Sequence, residues 1–333
     1  MLYFDEVRIE DLSNLEKLIN LNYIFNKTEP RNMISLKQLS YALAVQDEMH
    51  FKKAADACNV SQSALSTAIT ELEKQLGIQI FERNNKQVLI TPAGQVLLKT
   101  AQNIKLQVDD LYKLSQMNKL PLSTPMNIGV IPTIGPYLLP KVLPDVRKQY
   151  PNFKLHLVED QSHVLVDKVR KGDLDCAILA LPYDIEGLMA FEFWQEDFYW
   201  VSHKDECPSN LQEISSKDMK IERLMLLKDG HCLKDHALAA CSFDEHNNNA
   251  DFNSTSLNTL IQMVVGKLGT TLVPEMALDQ LIHTESELRA VHLNEPGPHR
   301  RLAFIIRPNY GGTKNIEILM DIFKAQLSLI KTK

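Results

Sequence analysis

No stretch of this 333-residue chain approaches the ~18 consecutive apolar residues of a membrane span. Its first residues, MLYFDEVRIEDLSNLEKL, lack the basic start and unbroken apolar run of a secretory signal. A cytoplasmic location with no membrane partner is therefore the expectation. Positive charge is also in short supply. The formal net charge is −6, which argues against indiscriminate nucleic-acid binding, so any DNA contact has to come from a local arrangement. Cysteine is sparse and odd in number: Cys58, Cys176, Cys207, Cys232 and Cys241. With no C-x-x-C among them, a permanent disulfide framework is disfavoured and reduced thiols are the starting point. No internal repeat or low-complexity tract is present.

The length suffices for two or three domains, and a chain of this size buries a core without disulfides or metal. Residues 1–32 show mixed character and read as an extension of unknown role. A regular pattern opens at Met33. Ser35 followed by Gln38 fits a capping box, with Leu36, Leu39 and Leu43 on one helical face. FKKAADACN predicts a second short helix. SQSALSTAITELEKQLG predicts a third, with Leu65, Ile69, Leu72 and Leu76 in one stripe and Gly77 as its stop. FERNNKQVLIT reads as two short strands around a turn. Thr91-Pro92 then starts a helix that runs to about Gln116. On it Leu97, Ala101, Ile104, Val108 and Leu111 alternate spacings of four and three, a coiled-coil seam that calls for a partner helix.

KLPLSTP is a linker by composition, and beyond it strands and helices alternate. MNIGVI, FKLHLVE, DCAILAL, FYWVS, RLMLL, GTTLVP and RLAFIIRP are the expected strands. Such alternation implies an α/β region with largely parallel sheets, in two lobes with a cleft.

Three helices and a two-stranded turn form the pattern of a winged helix-turn-helix. On the third helix Ser63, Thr67, Thr70 and Lys74 lie opposite the apolar stripe, a short-chained polar face suited to base edges and phosphates. Ser66 belongs to the same helix. Ser61 and Gln62 stand at its N-terminus, where free backbone N–H groups favour phosphate. Arg83 and Lys86 in the wing extend the reach to the DNA backbone. Against this, Met33 to Thr91 carries Lys37, Lys52, Lys53, Lys74, Arg83 and Lys86 beside Asp47, Glu48, Asp56, Glu71, Glu73 and Glu82, which is no basic patch. A merely solvated face fits the periodicity as well.

The segment DGHCLKDHALAAC poses a different question. If the residues between Cys232 and Cys241 are helical, nine steps of ~100° turn the thiols to opposite sides. The rise along the axis is about 13.5 Å, whereas a disulfide needs Cα atoms within roughly 7 Å. Bond formation therefore requires the helix to come apart, as a redox switch would. His231 and Lys234 beside Cys232 suggest a lowered thiol pKa, and the apolar setting of Cys241 suits a resolving thiol. Two other readings stay open on these residues alone. Both cysteines fit ordinary core positions. His231, Cys232, His236, Cys241 and His246 also offer zinc ligands, though their spacing matches no common finger.

AADACNVSQSALSTAITELEKQLGIQIFERNNKQVLITPAGQVLL resembles the N-terminal domain of LysR-type transcriptional regulators, with Ser63 where many members have proline. IGVIPTIGPYLLP, GDLDCAILAL, LLKDGHCLKDHALAAC and STSLNTLIQMVVGKLGTTLVP are similar to the effector domain of the peroxide-sensing OxyR branch. The resemblance runs from about Ser35 to the C-terminus. It implies an α+β multidomain chain: a winged helix-turn-helix over 33–91, a dimerisation helix over 92–118, a linker over 119–125 and a two-lobed α/β, periplasmic-binding-protein-like effector domain over 126–333. It also implies that peroxide oxidises Cys232 and that Cys241 closes the disulfide. The peroxide pocket falls on Thr133, Ser162, His231 and Arg307, with Ser162 in place of a threonine. The implied partners are operator DNA, a homodimer assembling to a homotetramer, RNA polymerase, and glutaredoxin or thioredoxin as reductant. No cofactor or metal is implied, and no enzymatic activity. Cys58, Cys176 and Cys207 are expected to be structural. The rival functions are a thiol peroxidase, a solute-binding module and a LysR-type regulator with a metabolite ligand.

Overall fold

The computed structural model describes residues 33–84, 87–117, 120–243, 256–282 and 287–331. The chain divides into two compact units, Met1–Lys105 and Leu106–Lys333.

The first unit is built by local signals. Helix α1 (Leu36–Glu48) carries the capping box: Gln38 N donates to Ser35 Oγ (3.2 Å) and Ser35 N to Gln38 Oε1 (2.8 Å). Leu39 and Leu43 are buried, but Leu36 is exposed. Helix α2 (Phe51–Ala57) is capped by His50, whose Nδ1 accepts from Lys52 N. Helix α3 (Gln62–Leu76) starts at Ser61, whose Oγ accepts from Ala64 N (3.2 Å), and stops at Gly77 with φ 65°. The apolar stripe Leu65, Ile69 and Leu72 is fully buried against Leu43, Val45, Ala54 and Phe81. Strands β1 (Phe81–Asn84) and β2 (Gln87–Ile90) pair antiparallel as the wing. Glu73 Oε1 accepts from Ile80 N (2.7 Å) and Phe81 N (3.1 Å), tying the wing to α3. Helix α4 (Pro92–Met117) begins where Gly94 N donates to Thr91 Oγ1 (2.8 Å). The expected winged helix-turn-helix is present.

The second unit contains β3 (Met126–Val130), α5 (Gly135–Gln149), β4 (Leu155–Glu159), α6 (Ser162–Lys171), β5 (Cys176–Leu181), β6 (Met189–Glu196), β7 (Phe198–His203) and β8 (Glu213–Ile214). It continues with α7 (Cys232–Cys241), α8 (Leu257–Val265), β9 (Thr271–Pro274), α9 (Leu278–Leu281), β10 (Leu288–Leu293), β11 (Arg300–Ile306) and α10 (Thr313–Lys331). Two sheets result, in the orders β4-β3-β5-β11-β6 and β8-β10-β7-β9. Two α/β lobes are thus confirmed.

The largely parallel sheets are not. Only β3–β4, β3–β5 and β8–β10 run parallel; the other pairings are antiparallel. The chain leaves the first sheet after β6, builds the second, and returns as β11 between β5 and β6. Entry from the other lobe reverses β11 relative to both neighbours. RLMLL forms no strand and contributes only isolated bridge positions, Leu224 (to Thr270) and Leu227. Strands β6, β8 and β10 were not expected.

Candidate redox site and DNA-reading surface

The two cysteines of DGHCLKDHALAAC are the first and last residues of one helix. Helix α7 has His231 as its N-cap and ends at Ser242 in the left-handed region (φ 53°). Its buried positions are Cys232, Leu233, His236, Ala237, Leu238 and Cys241, so both ends are anchored in the core. Both thiols are free and 3 % exposed. The axial rise of about 13.5 Å keeps the sulfurs apart while α7 is intact.

A tight crevice, with no room for a water molecule in this structure, meets Cys232. Its walls are Thr133 after β3, Gln161 and Ser162 at the start of α6, and Gly230 and His231 before α7, backed by Ile131 and Pro132. Ser162 is 1 % exposed. Its hydroxyl makes no hydrogen bond of full geometry with a protein atom, yet lies near enough to the Cys232 sulfur to favour the thiolate. Thr133 is held from behind by Arg300, whose Nη1 donates to Thr133 Oγ1 (3.3 Å) and Nη2 to Thr133 O (3.1 Å). Arg300 is itself fully buried and paired through Nε to Glu196 Oε1 (2.7 Å). The other Glu196 oxygen accepts from Met276 N (2.9 Å).

This geometry corrects the implied arginine. Arg307 does not reach the cleft. Its Nη1 donates to Val169 O and Leu174 O (both 2.9 Å), and its Nη2 meets Asp110 Oδ1 at 3.4 Å, with the guanidinium over the Tyr310 ring. Arg300 opens β11 and Arg307 directly follows it, and seven extended steps separate them by roughly 23 Å. Arg300, not Arg307, is the buried cation beside Thr133.

The expected electrostatics of Cys232 also need revision. Burial pushes its thiol up; Ser162, Arg300 and a backbone group of Ala180 pull the other way, and Asp235 adds to the rise. Lys234 is occupied by Asp229 (2.5 Å). Burial, aided by the charge of Lys228, holds the His231 imidazole below its usual pKa and hence neutral. His231 therefore does not supply the cation that the sequence suggested, because desolvation acts on it as on Cys232, and Lys234 is paired with Asp229 instead. Cys241 is pushed up to about 12 by burial and by the charge of Glu295.

His236, one turn after Cys232, was read from the sequence only as a possible zinc ligand, and the structure places it in the core behind the site. It is 2 % exposed, and its Nε2–H donates to Pro182 O (2.8 Å). Burial, opposed by that bond and aided by Arg300, lowers its pKa to about 4. Its Nδ1 is buried without a partner. The i, i+4 spacing on a buried helix face was a readable signal. Among the described residues no three His, Cys, Asp or Glu side chains converge as metal ligands, and His246 lies outside them.

On α3, Ser61, Gln62, Ser63, Thr67, Thr70 and Lys74 are exposed and Ser66 is half-buried, on the side away from the core. The side chains of Arg83 and Lys86 lie outside the described residues. The seam on α4 divides. Ala101 is buried and Leu97 packs against the first unit's core, beside buried Leu98. Ala101 is thus used internally and is not open to a partner helix. Ile104 and Leu111 are exposed, and Val108 is half-buried. No helix among the described residues is long and apolar enough to cross a membrane.

Residues 36–95 match the family model for bacterial regulatory helix-turn-helix proteins of the lysR family, and residues 121–328 match the LysR substrate binding domain. The HTH-type transcriptional regulator EstR of Acinetobacter baylyi is 38 % identical over 290 residues, 87 % of this chain and 96 % of that one. The hydrogen peroxide-inducible genes activator of Dickeya chrysanthemi is 33 % identical over 296 residues, 89 % of this chain and 97 % of its own. A solved full-length OxyR variant from Pseudomonas aeruginosa superposes with a TM-score of 0.71 at 32 % identity, covering 88 % of this chain and 95 % of that one.

Proposed function

The chain belongs to the LysR family of DNA-binding transcription regulators, and we propose that it is a hydrogen-peroxide-sensing activator switched by a reversible Cys232–Cys241 disulfide. The observation that carries this is the placement of two free, buried cysteines at the two ends of one helix, the first beside the buried Ser162 hydroxyl. That buried hydroxyl has only the Cys232 sulfur near it, and a peroxide oxygen bound beside the sulfur gives it a full hydrogen bond. The relatives named for OxyR and for peroxide-inducible genes support the same reading.

The Cys232 sulfur attacks one peroxide oxygen and the O–O bond breaks. The departing hydroxide takes the thiol proton as water and leaves Cys232 as the sulfenic acid. The Cys241 thiol then attacks that sulfur, the S–O bond breaks, a second water leaves and the disulfide forms. Arg300 acts at one remove, by fixing Thr133 in the cleft wall. Since α7 separates the sulfurs, the second step requires α7 to unwind, which changes the surface that the effector domain offers to its neighbours.

A dimer of dimers on an inverted-repeat operator, with α3 in the major groove, turns that change into a new spacing of DNA-binding pairs. Contact with RNA polymerase and resetting by glutaredoxin or thioredoxin complete the cycle. Brief substoichiometric peroxide followed by peptide mass spectrometry tests it. A Cys232–Cys241 crosslinked peptide is the expected product; folded protein without that crosslink overturns the reading. A second reading, a regulator answering to a small metabolite, draws on the relative EstR, whose name carries no peroxide. Cys232→Ser separates the two, since a metabolite sensor keeps its response.

A further inference from the structure

One wall of the crevice at Cys232 is a side chain with no hydrogen bond among the described residues. Gln161 immediately precedes α6, and its backbone N–H donates to Asp160 Oδ1 (2.9 Å). Its side chain caps no helix and makes no hydrogen bond to another described residue. The carboxamide lies instead across Gly230. A Cβ at Gly230 would stand 2.8 Å from Gln161 Oε1, 3.1 Å from Cδ and 3.3 Å from Nε2. Gly230 also has φ +91°, so a residue with no side chain supplies both the backbone turn and the bed for the amide.

The other walls are fixed. Thr133 is gripped by Arg300, Ser162 is part of α6, and Cys232 is part of α7. Gln161 is the long side chain of the crevice that no hydrogen bond among the described residues ties down, so the room for an oxidant at Cys232 depends on it. We infer that Gln161 is a specificity-determining residue of this site: its side chain sets the size of the oxidant that reaches Cys232, admitting hydrogen peroxide and holding back hydroperoxides with a carbon substituent. This rests on Cys232 being the peroxide-reactive thiol.

The chemistry is the same for both oxidants. Sulfur takes the terminal oxygen, the O–O bond breaks, and the leaving hydroxide or alkoxide takes the thiol proton to become water or alcohol. Discrimination therefore comes from space. In a fixed pocket each misfitting methylene-sized group costs about 1–3 kcal/mol, or roughly 10- to 200-fold in rate.

The test uses the reduced full-length chain and Gln161→Ala. Disulfide formation is followed by acid quench, alkylation and mass spectrometry with hydrogen peroxide, tert-butyl hydroperoxide and cumene hydroperoxide. In Gln161→Ala the rate with the organic hydroperoxides, relative to hydrogen peroxide, rises by about tenfold or more. Gln161→Met, of similar length but without the amide, keeps the wild-type ratio. An unchanged ratio in a folded Gln161→Ala protein, or a Gln161→Met ratio equal to that of Gln161→Ala, overturns the inference. Failure of the wild type to form the disulfide with hydrogen peroxide overturns the functional reading beneath it as well, so the two failures are told apart.

Discussion

Strand β11 ends in a buried arginine at one side and is followed by another at the other, and the two serve different regions. Arg300 is paired with Glu196 and grips Thr133, so it belongs to the cleft that reaches Cys232. Arg307 accepts no role there. It satisfies carbonyls at the end of α6 and meets Asp110 of α4, close to where Leu106 packs on the turn at Gly172. One end of the strand backs the crevice at Cys232 and the other meets the part of α4 that belongs to the second unit. The difference lies in what each guanidinium desolvates against: a fully buried carboxylate, or a helix end and a carboxylate that is slightly exposed.

The largest break in this comparison is Arg300→Met. Glu196 is left charged and buried, so unfolding in urea should show a loss of about 3–5 kcal/mol. Peroxide-driven disulfide formation should fall with it, because Thr133 loses its anchor. A stability within 1 kcal/mol of wild type, in ~RT-level terms, would contradict the burial of the pair.

Acid sharpens the contrast at the Arg300 end. His236 has a pKa of about 4 in the reduced fold against an ordinary value of 6.5. A base whose pKa is depressed on folding binds more protons when unfolded, so stability rises with pH across that window. The reduced protein should be at full stability above about pH 6.5 and lose up to about 3 kcal/mol as pH falls toward 4. Calorimetric melting from pH 7 to pH 5 measures the slope, and His236→Gln should flatten it. An identical slope in that variant assigns the effect elsewhere.

Asp110→Asn probes the other end. It removes a charge from a buried pair and should cost about 1–3 kcal/mol. Disulfide formation should keep its wild-type rate, while the shift in operator footprint on oxidation is weakened. Slower disulfide formation would mean that the two ends are not separate. The smallest effect is expected from Ser162→Ala. Loss of one neutral hydrogen bond to the oxidant should slow disulfide formation about 2- to 12-fold, with stability nearly unchanged because the hydroxyl makes no hydrogen bond of full geometry within the fold. Ser162→Thr keeps the hydroxyl and should stay near the wild-type rate.

Much of the first unit was legible because its signals are local. Ser35 with Gln38, Ser61, Gly77 and Thr91-Pro92 each act within a few residues of themselves, and each appears in the structure at its expected place. The second unit was legible in its buried strands but not in their directions. DCAILAL and RLAFIIRP look alike as apolar runs, whether a neighbour is parallel or antiparallel. Strand β6 was missed because MAFEFWQE mixes exposed and buried positions without strict alternation. Within the site, Cys232, His231, Thr133 and Ser162 were named from motifs and stand together around one cleft. Arg300 and Gln161 were not named, and His236 was named only as a possible zinc ligand. Arg300 and Arg307 flank the same apolar run, and only the register of β11, with Arg300 opposite Glu196, decides which one faces the cleft.

The sequence by itself determined the helices, their caps, the polar face of α3 and the conflict between an intact α7 and a Cys232–Cys241 bond. All of these follow from spacing along a chain with a known rise per residue. Only the tertiary structure decided the protonation of the site and its supporting cast. Burial raised the Cys232 and Cys241 thiols and neutralised His231 and His236, and sheet register chose Arg300 over Arg307. Desolvation and register depend on what packs from distant parts of the chain, and neighbours in sequence do not carry that information.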